Sequence, residues 1–248
     1  MSFEQIAAAA AILLSAYFIR GITGFGSGLI SVPLLALFLP LKFVVPLILL
    51  LEVAGRAVWR LPGRVPACFL LVDARAGGIL VNSPPFDARV VEAVERVAKV
   101  RFLFFPSRFG ATDVARWRAA LAARTVAAAE ECAAIDGPID EAIDGGVRIH
   151  GRLDFLALSG RTRGTCALRS KIDPAIVFFG PALEHGEWPL LAVHADDDSY
   201  ENRVIGAIAL QDLRFEFAFC DNYVHGRSRF GPGAAEAVRA NLAAVLRA

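Results

Sequence analysis

The chain reads as an α+β protein: an αβ/βα sandwich, with helices outside two facing sheets, preceded by a short α-helical membrane segment. Two observations predict this. From Gln5 to Val53 the only charged residues are Arg20, Lys42 and Glu52, whereas acidic and basic side chains recur every few positions from Arg60 onward. Beyond Pro66, strand-length apolar runs alternate with stretches whose apolar residues recur at helical spacing, the pattern of layered sheets and helices. The expected organisation is a membrane fragment over 1–58, a linker over 59–65 and a folded domain over 66–248.

A span of the hydrocarbon core needs about 20 mostly apolar residues. The uncharged run Gly21 to Leu41 meets that length, and Gln5 to Ile19 extends it upstream. A second run from Phe43 continues to roughly Val58, so two spans are expected, the first broken by Gly21, Gly24, Gly26 and Gly28. Glycines of this kind allow close helix contact or unwound backbone inside a membrane. A removable signal is disfavoured by Glu4 and by the lack of a basic residue ahead of the apolar run. Arg56, Arg60 and Arg64 lie at or just after the end of the second span, and the positive-inside tendency then places the rest of the chain in the cytoplasm.

The formal net charge is +1, with basic residues interspersed among acidic ones. That distribution gives no footprint for nucleic acid. Cys68, Cys132, Cys166 and Cys220 are far apart and form no C-x-x-C pair. They read as buried free thiols of a reducing compartment.

The individual elements follow in order. Cys68 to Val72 and Ile79 to Val81 flank the turn-rich A-R-A-G-G and predict a hairpin. Asp87 is positioned to cap a helix carrying Val90, Val94 and Val97 on one face. Arg101 to Phe105 predicts a buried strand. A second helix begins near Thr112 or Asp113, with Val114, Trp117 and Leu121 as its stripe, and a strand follows Arg124. Further strands are expected at Leu153 to Leu158, Thr165 to Leu168 and Ala175 to Phe179. The last helix has Pro232 near its first turn and Val238, Leu242, Val245 and Leu246 along its apolar side.

Two resemblances add to this reading. The string R-G-I-T-G-F-G-S-G-L-I-S-V-P-L-L-A-L-F-L-P-L-K-F-V-V-P-L, beginning at Arg20, resembles the opening of the TauE/SafE family of sulfite and organosulfonate transporters. It covers about the first 57 residues, fewer spans than such a transporter has, so it implies a fragment. An intramembrane arginine is a functional-site candidate by default, and Arg20 would matter if the fragment formed part of an anion path.

From Pro66 onward the order resembles the metallo-β-lactamase superfamily. The carrying residues are G-G-I-L-V-N-S-P-P-F at Gly77 to Phe86, R-F-L-F-F-P-S-R-F at Arg101 to Phe109, L-S-G-R-T-R-G-T-C-A-L at Leu158 to Leu168, V-F-F-G-P-A-L at Val177 to Leu183, and V-H-G-R at Val224 to Arg227. The resemblance implies a metal cluster held by H-x-H-x-D-H after the strand ending at Phe105. Zinc needs imidazole, thiolate or carboxylate donors, yet the matching positions hold Ser107, Phe109, Ala111 and Thr112. Downstream, the family's P-G-H-T-P-G becomes Ser159 to Gly164, with Arg161 in place of the histidine, and its G-D becomes Gly180-Pro181. Neither guanidinium nor proline offers a ligand. His225 alone matches a family ligand.

The resemblance therefore implies a membrane-anchored, non-catalytic domain with a binding or scaffold role and no metal or other cofactor. Arg108, Arg161, Arg163, Arg227 and Arg229 fall, by the same resemblance, on loops around the vacated pocket, which points to a small oxyanion such as sulfate, sulfite or phosphate. The plainer alternative pairs these arginines with Asp154, Glu184 or Asp221. Two other functions stay open: a hydrolase with ligands relocated to His150, His185, His194 or Asp196 to Asp198, and part of an anion transporter.

Overall fold

The computed structural model describes residues 56–61, 65–73, 76–144, 147–150, 152–158, 160–191, 206 and 208–245. Residues 1–55, which carry the expected spans with Arg20, Gly21, Gly24, Gly26 and Gly28, lie outside the described residues, as do Arg64, Ser159, His194, Asp196 to Asp198 and Leu246. Among the described residues no helix is long and apolar enough to cross a membrane. Two compact units divide the chain between Ala57 and Val58.

The second unit is built on two sheets. The first contains β1 (Arg56–Arg60), β2 (Phe69–Asp73), β3 (Gly77–Val81), β4 (Val100–Phe105), β5 (Arg124–Ala128) and β6 (Glu141–Ile143), in that spatial order. β2 and β3 form the expected antiparallel hairpin, and β3 through β6 run parallel. The second sheet contains β7 (Val147–His150), β8 (Leu153–Ala157), β9 (Cys166–Ser170), β10 (Ile176–Gly180) and β13 (Phe217–Cys220), in the order β13-β10-β9-β8-β7. A separate small hairpin pairs β11 (Glu184–His185) with β12 (Pro189–Leu190).

Strand alternation decides what each face buries. Phe102 and Phe104 of β4 point between the sheets with Phe69, Leu71, Ile79, Phe155, Leu168 and Phe178. Leu103 and Phe105 point outward and meet α1 (Ala88–Val97) and α2 (Val114–Leu121) through Val91, Val94, Val114, Trp117 and Leu121. On the far side Val177, Phe179 and Ala218 meet Val238 and Leu242 of α4 (Ala234–Val245), which follows the short α3 (Ala129–Cys132) in the chain. Three apolar layers separated by two sheets define the αβ/βα sandwich.

Two expectations need correction. Residues 56–60 are not the end of an apolar span followed by a linker; they form β1, whose Val58 packs on the inter-sheet core and whose following residue Leu61 lies in the helix-side core. The buried residues of α1 are Val91 and Val94, while Val90 is half-buried and Val97 is 42% exposed. The helix is turned so that its 90–94–97 stripe runs along the margin of its footprint on the sheet. Asp87 does cap it, accepting from the Arg89 backbone N–H, whereas Asp113 precedes α2 in a left-handed conformation and its carboxylate accepts instead from the Phe86 N–H.

Candidate functional site

Loops from the C-terminal ends of β3, β4, β5, β10 and β13, together with the β8–β9 turn, gather at one end of the sandwich, where parallel α/β sheets place their sites. Backbone bonds tie them together: the Cys166 N–H donates across the two sheets to Pro106 O at 2.9 Å, and the Asp221 N–H donates within the second sheet to Gly180 O at 3.1 Å. Gly180 has φ of +56°, and a Cβ there would lie 2.2 Å from Pro106 Cβ, so the approach requires glycine. Ser83 joins β3 to the next loop, its hydroxyl donating to Thr112 O and accepting from the Thr112 N–H.

The first polar cluster centres on Glu131 of α3, a carboxylate 1% exposed. Its Oε2 accepts from the Arg108 backbone N–H at 2.7 Å, and its Oε1 accepts from Thr162 Oγ1 at 2.7 Å. A carboxylate can only accept, so Thr162 spends its proton there and Thr165 Oγ1, 2.9 Å away, donates to Thr162. Thr165 in turn accepts from the Thr162 N–H. The Arg108 guanidinium stands 3.8 Å from the same carboxylate.

A second cluster joins the ends of β3 and β13. Asn82 Nδ2 donates to Asp221 Oδ1 at 2.8 Å and to Ala67 O at 2.9 Å. Gly110 packs flat against this amide; a Cβ would lie 1.8 Å from Asn82 Oδ1. Burial pushes the Asp221 carboxyl up to about 7, against the opposing effects of the Asn82 hydrogen bond and the Arg161 charge. In the sequence Asp221 stands out only as a partner for arginine, and neither Glu131 nor Asn82 stands out. The available signal was a Glu-Glu pair inside an alanine-rich segment and an asparagine closing an apolar strand.

The positions that would carry metal ligands in the resembling family hold side chains with other tasks. Ser107 is fully buried, and its Oγ accepts from the Phe109 N–H, starting a single 3₁₀ turn over Arg108–Gly110. Phe109 is 40% exposed, and two guanidinium groups lie against its ring: Arg161 at 4.7 Å and Arg108 at 5.5 Å from the centroid. Arg163, His225, Arg227 and Arg229 are exposed. Arg229 pairs with Glu187 at 3.0 Å and lies near the Trp188 ring, so it faces the β11–β12 hairpin. Of the five arginines, Arg108 and Arg161 are brought together.

Other candidate donors are dispersed. His185 is buried edge-on to Tyr223, and burial pushes its imidazole down to about 4. His150 belongs to β7. Asp154 pairs with Lys171 at 3.0 Å. Burial pushes the thiols of Cys68, Cys166 and Cys220 well up, which suppresses the thiolate.

Similarity to known proteins lies in the fold. A metallo-β-lactamase of Cronobacter sakazakii with a HARLDQ motif matches with a TM-score of 0.57 and 15% identity, over 78% of this chain and 90% of its own. The MIM-2 metallo-β-lactamase matches at 0.54 and 16%, over 74% and 84%. The class B3 di-zinc enzyme LRA-12 from an Alaskan soil metagenome matches at 0.53 and 12%, over 77% and 90%. No family model and no curated protein matches the chain. The protein has the metallo-β-lactamase fold.

A zinc site of the kind named for LRA-12 does not fit the described residues. Among the described residues no three His, Cys, Asp or Glu side chains converge to hold a metal ion. The two buried carboxylates nearest the loops already accept from Arg108, Thr162 and Asn82.

Proposed function

We propose that this chain is a non-catalytic metallo-β-lactamase-like domain that binds a small oxyanion and is held at a membrane by its apolar N-terminal segment, acting as a binding or scaffold module. The observation that carries the proposal is the exchange of donors for cations. Where the resembling family places metal ligands, the chain presents Phe109 with Arg108 and Arg161 on its ring, and Arg163 is exposed two residues further along the same turn. Guanidinium groups offer planar pairs of N–H donors suited to sulfate, sulfite or phosphate. The ring restricts their motion and lowers the ordering cost of binding.

The test has two arms. Purified protein exposed to zinc, manganese and iron is expected to retain no stoichiometric metal; a stoichiometric metal lost in His225→Ala would overturn the non-catalytic reading and favour a hydrolase. Sulfate or phosphate is expected to raise the melting temperature of the wild type and to leave Arg161→Ala unmoved. Equal stabilisation of both would remove the oxyanion site. Membrane attachment is checked by flotation of the full chain with liposomes, and reconstituted anion flux dependent on Arg20 would replace the anchor with a transporter.

A further inference from the structure

The apolar run leaves almost no tether ahead of the folded domain. Its uncharged part closes at Leu51, and β1 starts five residues later at Arg56. Five residues reach at most about 18 Å. A bilayer that holds the run would therefore keep β1, the outermost strand of the first sheet, close to its surface.

The β1 edge carries groups that suit such a surface. Trp59 of β1 is 54% exposed, Val97 at the end of α1 is 42% exposed, and both border one opening of about 420 Å³ between strand and helix. Val65, exposed as well, stands in the connection from β1 to β2. Exposed apolar side chains gathered in one place mark an interaction surface, and tryptophan is enriched where hydrocarbon meets head groups.

The charge of this edge points the same way. Between Glu52 and Asp73 the charged residues are Arg56, Arg60 and Arg64, all basic, and Arg60 is exposed and borders the same opening. On and just beyond α1, Asp87, Glu92 and Glu95 are matched in number by Arg89, Arg96 and Lys99, with Asp87 paired to Arg89 and Glu92 to Arg96. The basic excess therefore comes from the strand side. Basic residues beside a membrane-entering run are drawn to the anionic head groups of a cytoplasmic leaflet.

We infer that the β1–α1 edge is an interfacial docking face for an anionic lipid bilayer, with Trp59 and Val97 seated among the head groups and Arg60 facing their anionic groups. The inference rests on the membrane attachment proposed above and adds which face of the domain meets the lipid.

All three tryptophans lie outside residues 1–55, so their fluorescence reports the domain alone. The full chain is reconstituted with vesicles of phosphatidylcholine and about 25% phosphatidylserine, part of the lipid brominated near the head-group end of its acyl chains. Flotation reads attachment, and quenching reads docking, because bromine quenches only rings within contact range. Both are expected, with most of the quenching gone in Trp59→Phe, since Trp117 is fully buried and Trp188 packs on the outer layer of the second sheet. Val97→Glu leaves the sheet contact of Val91 and Val94 in place and is expected to lower the quenching at least about twofold at unchanged flotation, with far-UV circular dichroism confirming the fold. Vesicles of phosphatidylcholine alone are expected to give at most about half the quenching. A chain that does not float removes the attachment and the docking face together. A chain that floats while its quenching is absent, persists in Trp59→Phe or ignores Val97→Glu overturns the face and leaves the attachment standing; equal quenching in both lipids overturns the role of anionic head groups.

Discussion

Asp140, just before β6 of the first sheet, and Asp221, just after β13 of the second, are carboxylates at opposite ends of the sandwich, and their surroundings differ in kind. Asp140, just before β6, accepts from Arg118 at 2.6 and 2.9 Å and from the backbone N–H and hydroxyl of Thr125. The Arg118 hydrogen bond leads the effects that hold its carboxyl well below the usual range. Asp221, at the end of β13, has Asn82 as its side-chain donor and is raised by burial to about 7. The N-terminal edge of the sheet is finished with a fully donated ion pair at the surface. The C-terminal edge buries Glu131 and Asp221 with neutral groups as their hydrogen-bond donors. This edge is closed by hydrogen bonds internal to the chain.

Glu131→Ala tests that closure and should have the largest effect. It strips acceptors from the buried Arg108 N–H and Thr162 hydroxyl, and a loss of about 3 kcal/mol is expected by urea denaturation. A change under about 1 kcal/mol would mean that water replaces the carboxylate and that the edge is more open than described.

Asp221 sharpens the contrast through pH. Its folded value lies above that of an unfolded carboxyl, about 4, so the folded chain holds the extra proton between those values. Stability from this group is full below about pH 4 and declines as pH rises through about 7. Asp221→Asn should remove that decline, gaining a few kcal/mol at pH 8 relative to pH 4 against the wild type. An unchanged profile would show that the carboxyl is ionised and solvated.

Asp140 runs the other way. Its folded value is depressed, so its contribution is present above about pH 4 and is lost as pH falls below that. Asp140→Asn should cost about 1 kcal/mol at pH 7 and flatten the acid limb of the stability curve. Chemical denaturation at pH 3 and pH 7 reads both effects.

Much of the sandwich was legible because period-two alternation and helix caps are local signals. The β2–β3 hairpin, β4, β8 to β10, the Asp87 cap, and the Val114–Trp117–Leu121 and Val238–Leu242 faces follow from neighbouring residues alone. β1 was hidden because R-A-V-W-R looks like the charged end of an apolar span, and β6 because three residues carry too little pattern. The empty ligand positions were legible only through family resemblance. What fills them was not, since Glu131 meets Thr162 and Asn82 meets Asp221 across 31 and 139 residues of sequence. Pairing at that range depends on how the two sheets close, which no local window contains.

β1 also decides where a shortened chain can begin. Trimming the chain to the expected domain start at Pro66 would delete the outermost strand and turn β2, with Phe69, Leu70 and Leu71, into the bare rim of the sheet. An apolar rim of that kind templates pairing with other chains. A version intended for work in solution should therefore keep Arg56, whose strand guards that rim, even though five residues of it look like part of what is being removed.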